Sequence, residues 1–197
     1  MGNMLTATIT ICGVRPLLWH RFGPDAIPLI KQEKTGVAGN DPEEWKRSVL
    51  VTAERQLYLD PTAVFGCLRD AARFTPRKRG TLQPLLSATL QVCSEQVLID
   101  RHLPAELSRD SAQPVYIDVR SVRNPTTRAR NVRYRVAASA GWQATFQIIW
   151  DKTVVARDEL RAVILDAGRL VGLGDGRNIG FGRFTCDPDT DIVIAER

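Results

Sequence analysis

Alternation of apolar and polar residues defines the first predicted element of the chain. In residues 5–12, Leu5, Ala7, Ile9 and Ile11 share one face of an extended chain, while threonines occupy the other face. A period of two residues is typical of a β-strand that is buried on one side. Related patterns predict further strands at 48–52, 55–59, 89–99, 115–119, 141–150 and 191–195.

Two other segments repeat their apolar residues with the period of a helix. The first follows Asp60, a suitable N-cap, and Pro61, which fits the first helical position, and it ends before Pro76. The second covers 157–168. The order of strands and helices is typical of a split βαβ arrangement. We therefore predict an α+β, ferredoxin-like (RNA-recognition-type) antiparallel sheet with two helices on one face, in a single domain over 1–197; the other face is free for a ligand such as single-stranded RNA.

Two segments interrupt this regular order. Residues 17–47 are rich in glycine, proline and charge, and they predict a long irregular insertion. Residues 120–135 contain six arginines, and no acidic residue occurs between Asp118 and Asp151. With a turn near Pro125, this arginine-rich stretch predicts an exposed arm or β-hairpin.

A glycine-rich stretch at 172–184 contains five glycines, with Arg177 and Arg183 among them. Main-chain N–H groups and guanidinium groups in such a loop can together bind a polyanion. A tight turn packed against a neighbouring sheet is the alternative. The stretch does not fit a dinucleotide fingerprint, because a helix precedes it, and it lacks the Lys-Ser or Lys-Thr pair of a P-loop.

Charge and cysteine usage narrow the class of partner. The net charge of +5 and the pI of about 9.3 favour a nucleic acid or another polyanion. The four cysteines are too widely spaced for a zinc site, so we expect reduced thiols and neither a metal nor a cofactor. A leader pattern and a long apolar run are both missing from the sequence, so we expect a cytoplasmic protein with no membrane partner.

Two motifs resemble one protein family. Residues 57–73, with Gly66-Cys-Leu-Arg69 inside them, resemble the strand, proline and G-x-L-R opening of the first helix in the RAMP superfamily of CRISPR-associated RNA-binding proteins. Residues 172–184, with Gly180-Phe-Gly-Arg183, resemble the C-terminal glycine-rich loop of that superfamily. Both motifs occur in the order that the superfamily shows, and the resemblance is nearest the backbone subunits of effector complexes.

This resemblance implies a non-catalytic subunit that assembles along a guide RNA. The implied partners are guide RNA, target nucleic acid as a second candidate, copies of the chain itself and other effector subunits. The arm at 120–135 would be a projecting thumb or an RNA-contacting strand, and 17–47 would be a variable insertion. The chain is shorter than many backbone subunits and its glycine-rich loop is more polar, which leaves open a phage-encoded accessory protein that binds single-stranded nucleic acid.

RNA binding requires phosphate neutralisation and stacking surfaces. Three groups of residues are candidates for these contacts, and solvated arginines are the alternative for each. In order of preference they are Gly174, Gly176, Arg177, Gly180, Gly182 and Arg183; then Arg69, Arg73, Arg77 and Arg79; then Arg128, Arg130, Arg133, Tyr134 and Arg135.

Catalysis is a separate hypothesis. Some members of the superfamily cleave RNA with a histidine as general acid or base, and His20 is the candidate here, with a structural histidine as its alternative. Other members cleave a target through an acidic residue and a metal, for which Asp25 and Asp41 are candidates. We expect a chain without catalytic activity.

Overall fold

The computed structural model of the chain describes residues 2–21, 41–123, 128 and 130–197. The predicted insertion is thus described at its two ends; Asp25 and the predicted turn at 124–127 lie outside the described residues. The strands are β1 Met4–Gly13, β2 Leu17–Leu18, β3 Gln56–Leu59, β4 Gln91–Val92, β5 Val97–His102, β6 Val115–Arg123, β7 Arg130–Ala138, β8 Gln143–Asp151, β9 Phe184–Thr185 and β10 Ile192–Glu196. The helices are α1 Glu44–Ser48, α2 Pro61–Ala71, α3 Gln83–Thr89 and α4 Arg157–Asp166.

The larger sheet is antiparallel and has the strand order β10-β1-β8-β5-β3. Helix α2 lies between β1 and β5 in the chain, and α4 lies between β8 and β10. If β1, β5, β8 and β10 are numbered one to four, their spatial order is 4-1-3-2, as in a split βαβ fold. The predicted α+β, ferredoxin-like fold is confirmed.

The core lies between the larger sheet and its helices. The apolar face of β1, including Leu5 and Ile9, is fully buried, and Leu68 of α2 and Leu160 of α4 belong to the same cluster. Burying a large aliphatic side chain contributes about 1.5–3 kcal/mol. The threonine face of β1 is half-exposed, as the alternating pattern predicts. None of the helices in the described part of the chain is long and apolar enough to span a bilayer.

Helix α2 begins where its capping residues predict. The Asp60 carboxylate accepts a hydrogen bond from the Thr62 N–H at 2.9 Å, and Pro61 occupies the first turn. The helix continues as a 3-10 turn over Ala72–Phe74 before Pro76. Arg73 is therefore carried on the C-terminal end of this helical segment.

Two short helices replace parts of predicted strands. Residues 48–52 do not form the predicted strand, because α1 extends to Ser48 and only an isolated bridge joins Val51 to Leu57. The predicted strand at 89–99 begins as the end of α3 and continues as β4 and β5. Leucines at 82, 86 and 90 are all buried, and their spacing of four residues is the helical pattern that the strand prediction overlooked.

A second sheet has the strand order β2-β7-β6. Strands β6 and β7 pair antiparallel from Val115 opposite Ala138 to Arg123 opposite Arg130. The arginine-rich hairpin is therefore present. Its first strand, β6, continues to Arg123 and is longer than the strand predicted at 115–119. The base of the hairpin pairs with β2 through β7. Because the Asp175 N–H donates to Leu18 of β2, the hairpin lies next to residues 172–184.

Candidate nucleic-acid interface

The glycine-rich loop, residues 172–184, has a compact and highly specified backbone. All five of its glycines have positive φ, between 66° and 92°. A Cβ added at Gly182 would lie 1.8 Å from the Leu173 carbonyl oxygen, and one at Gly174 would lie 2.5 Å from the Leu18 carbonyl oxygen. Only glycine allows such close approach with φ in the left-handed region.

Main-chain hydrogen bonds hold the same loop against itself and against β2. The Leu173 N–H donates to the Gly182 carbonyl at 2.9 Å, and the Asp175 N–H donates to the Leu18 carbonyl at 2.9 Å. Gly180 differs, because a Cβ there would meet no atom within 4 Å. One part of the loop is thus a tight turn packed on a sheet, as the alternative prediction for this stretch had it. The turn around Gly180, in contrast, is open.

An open cavity of about 420 Å³ lies between the glycine-rich loop and the end of α2. We call it the arginine pocket, because Arg73, Arg177 and Arg183 all line it. Arg73, from the second group of predicted RNA contacts, therefore lies at the same cavity as Arg177 and Arg183 from the first. The remaining lining residues are Asp70, Leu170, Val171, Gly174, Asp175, Gly176 and Asn178.

The carboxylates of the arginine pocket already have partners. Asp70 pairs with Arg69 at 2.8 Å and with Arg177 at 3.4 Å. Arg183 donates from Nη2 to the Arg177 carbonyl at 3.5 Å, whereas its buried Nη1 has no hydrogen-bond partner among the described residues. Arg73 is exposed, and within the described ranges no carboxylate pairs with it. The pocket therefore offers guanidinium groups to an anion.

The glycine-rich loop is joined to the hairpin by a buried charge cluster. Arg135 of β7 is 3% exposed, and its Nη1 lies 2.6 Å from Asp175 Oδ2. Its Nη2 lies 3.7 Å from Asp118 Oδ2, on the strand opposite. Arg120 binds Asp118 at 2.7 Å and covers the Phe181 ring at 4.5 Å. Burial of this side chain argues against direct RNA contact by Arg135.

A second cluster joins β7 to the segment around β2. His20 Nε2 lies 3.0 Å from Glu44 Oε1, and Arg133 Nη1 donates to the same oxygen. The Tyr134 N–H lies 3.4 Å from Glu44 Oε2. Burial of Glu44 raises the pKa of its carboxyl, but the hydrogen bond from His20 and the charge of Arg133 outweigh burial and hold that pKa below its ordinary value.

The other predicted residues lie apart from the arginine pocket. Arg77 donates to Glu159 of α4 at 2.6 Å, and Arg79 is exposed in the adjacent turn. Arg128 and Arg130 are exposed near the end of the hairpin. Asp41 is half-buried, and its carboxylate accepts hydrogen bonds from Arg47 and from the Glu43 N–H.

The sequence patterns did not identify Asp175 and Glu44 as residues of the site. Asp175 is the only acidic residue of the glycine-rich loop, and this isolation among glycines and arginines was the available sign. Glu44 lies in the predicted irregular insertion, and nothing in the local sequence indicates that its partners are 24 and 89 residues away.

Two of the thiols, Cys67 and Cys186, are buried. All four cysteines are free, as predicted. Burial raises the pKa of Cys67 to about 12 and that of Cys186 to about 11. Thiols with such pKa values carry almost no thiolate at neutral pH.

The open face of the larger sheet is polar and uncharged around its central strands. Thr10 and Thr145 form a hydrogen bond at 3.0 Å there, and the Gln147 side chain lies 3.4 Å from the Thr8 hydroxyl. Among the described residues, β1 and β8 place neither arginines nor aromatic rings on this face. It therefore fits a polyanion less well than the arginine pocket does.

No protein-family model matches the chain, and no curated protein matches it. Among solved structures, a chain from "Cryo-EM structure of the Type III-B Cmr-beta bound to cognate target RNA" is similar, with 12% identity and a TM-score of 0.47. The similarity covers 97% of this chain but only 60% of that chain, which is therefore considerably longer.

Proposed function

We propose that this chain is an RNA-binding subunit of a CRISPR effector ribonucleoprotein, without catalytic activity. The arginine pocket holds a phosphate of a guide RNA, and the exposed arginines of the hairpin contact the strand beyond it. This class of complex is inferred from the resemblance of 57–73 and 172–184 to the RAMP superfamily. Copies of the same chain and other effector subunits are the proposed protein partners.

The observation that carries the proposal is the convergence of Arg73, Arg177 and Arg183 on one cavity. These arginines come from segments about 100 residues apart in the chain, and guanidinium groups bind phosphate oxygens in a fork geometry. Arg135 pairs with Asp175, and Asp70 is shared by Arg69 and Arg177. This pairing leaves the charges of Arg73 and Arg183, and part of the charge of Arg177, for the ligand.

The hairpin extends the same basic surface. Arg120 lies over Phe181 of the glycine-rich loop, and Arg123, Arg128 and Arg130 are exposed further along the hairpin. A strand whose phosphate occupies the arginine pocket would meet these cations in turn. Phosphate contacts of this kind bind RNA with little dependence on sequence.

The contacts of His20 do not favour the alternative that the chain is a nuclease. Its Nε2 is engaged by Glu44, and Arg133 approaches the same carboxylate oxygen. This cluster joins α1 to the hairpin, which gives His20 a structural explanation. A His20→Ala variant should retain RNA binding at the arginine pocket, and RNA cleavage that disappears in this variant would support the nuclease instead.

Fluorescence anisotropy with a labelled single-stranded RNA tests the proposal. We expect the Arg177→Gln, Arg183→Gln double variant to bind at least about tenfold more weakly, a loss of about 1.4 kcal/mol or more. The matched control is Lys152→Gln with Arg157→Gln, which removes the same charge from two side chains that both pair with Glu196. Equal affinity of the two double variants would refute the role of the arginine pocket.

A further inference from the structure

A second cavity lies beside the arginine pocket, and Gly174 and Asp175 line both. Its volume is about 200 Å³, and we call it the side pocket. It is smaller than the roughly 300–1,000 Å³ of pockets for drug-sized ligands. This size suits one planar ring system better than a whole nucleotide. Its apolar lining comes from Leu18, Trp19, Leu50, Leu59 and Ala63.

The polar side chains that line the side pocket are His20, Arg21, Asp60 and Asp175, and His20 already has Glu44 as its partner. Asp60 accepts hydrogen bonds from Thr62 through Oδ1 and pairs with Arg21 through Oδ2 at 3.1 Å. Asp175 binds Arg135 through Oδ2, and its Oδ1 accepts no hydrogen bond from the residues that the structure describes. The Asp175 side chain is 38% exposed, so a ligand can reach it.

We propose that the side pocket binds one nucleobase of the RNA strand, with an amino group of the base donating to Asp175 Oδ1. This inference depends on the proposed function, because it requires a phosphate in the adjacent arginine pocket. Single-stranded RNA is commonly recognised through bases that are splayed out and bound on their Watson–Crick edges. Apolar walls shield the base, and the shared wall at Gly174 and Asp175 keeps base and phosphate within one nucleotide of each other.

The chemistry of the carboxylate predicts which base is preferred. A carboxylate accepts a hydrogen bond from the N4 amino group of cytosine. Uracil has carbonyl oxygens on both sides of its single N–H, and these oxygens repel a carboxylate. The side pocket therefore favours cytosine over uracil at the nucleotide that it binds.

Anisotropy with oligo(C) and oligo(U) of equal length tests this preference. We expect the wild-type protein to bind oligo(C) at least about fivefold more tightly, near the lower end of what one base-specific pair contributes. Ala63 is half-buried on α2 and lines the side pocket, so Ala63→Leu fills the space without changing the charge. This variant should bind both oligonucleotides with the affinity that the wild type has for oligo(U). Ala63→Ser, the control, should keep the preference.

The possible outcomes separate the two proposals. Equal binding of oligo(C) and oligo(U) by the wild type overturns the side pocket as a base site, whether or not Ala63→Leu folds. A preference that persists in folded Ala63→Leu, checked by circular dichroism, also overturns it. In either case RNA binding at the arginine pocket stands. Failure of the wild type to bind either oligonucleotide overturns the proposed function itself.

Discussion

Arg135 Nη1 lies 2.6 Å from Asp175 Oδ2, and this bond joins the arginine-rich hairpin to the glycine-rich loop. Asp175 lines both the arginine pocket and the side pocket. The same carboxylate therefore fixes the hairpin in place and orients the wall between the two cavities. Arg135 acts on the proposed RNA site through Asp175, while exposed arginines of the hairpin remain available for contact.

Replacement of Arg135 should destabilise the fold strongly. In Arg135→Ala, Asp118 remains buried and loses one of its two cationic neighbours, and removing one partner of a buried ion pair costs about 3–5 kcal/mol. Urea unfolding measures this change in the free energy of unfolding. Arg130→Ala is the control on the same strand, and its exposed side chain should change the value by no more than about 0.5 kcal/mol. A similar small effect of Arg135→Ala would refute a structural role.

Two glycines of the loop should respond differently to alanine. Both have positive φ, so either substitution costs about 1–2 kcal/mol from backbone conformation. At Gly182 the new Cβ would also overlap the Leu173 carbonyl oxygen, whereas at Gly180 it meets open space. Gly182→Ala should therefore lower the midpoint of urea unfolding much more than Gly180→Ala. Equal losses would show that the loop relaxes around residue 182.

Local patterns predicted the architecture because they report directly on it. The alternation in β1 and the Asp60-Pro61 start of α2 depend on burial and capping within a few residues. The order of these elements along the chain was then sufficient to predict the ferredoxin-like arrangement. The arginine-rich hairpin was predicted in the same way, from an acid-free stretch with a turn in its middle.

The candidate site was predicted less completely, because its ion pairs connect distant segments. Arg135 and Asp175 are 40 residues apart, and the sequence does not show that this arginine of the hairpin is buried while Arg130 is exposed. Likewise, the pairing of Arg77 with Glu159 spans 82 residues. Charge patterns identified the basic segments, but only the packing of the chain separates structural arginines from available ones.

The stability of the protein should depend on pH through Glu44. Its pKa is lower in the folded chain than its ordinary value of 4.5, so its ionised form stabilises the folded state. This contribution is present above about pH 4.5 and is lost as the pH falls through the lower, folded-state pKa. Glu44→Gln should therefore show a flatter loss of unfolding free energy between pH 5 and more acidic conditions, measured with urea at each pH. Glu43→Gln, an exposed neighbour, should follow the wild type, and a wild-type profile for Glu44→Gln would contradict the role of this cluster.

The salt dependence of RNA binding should distinguish Arg73 from Arg77. Each phosphate contact to a single strand contributes about 0.7 to the slope of log K against log salt concentration. Arg73 lines the arginine pocket without a carboxylate partner among the described residues, whereas Arg77 is bound to Glu159 at 2.6 Å. Arg73→Gln should therefore reduce the slope by about 0.7, and Arg77→Gln, the matched loss of one charge, should leave it unchanged. Anisotropy titrations over a series of salt concentrations measure both slopes. The same reduction in both variants would mean that RNA displaces Glu159 from Arg77 and that the contact surface reaches α4.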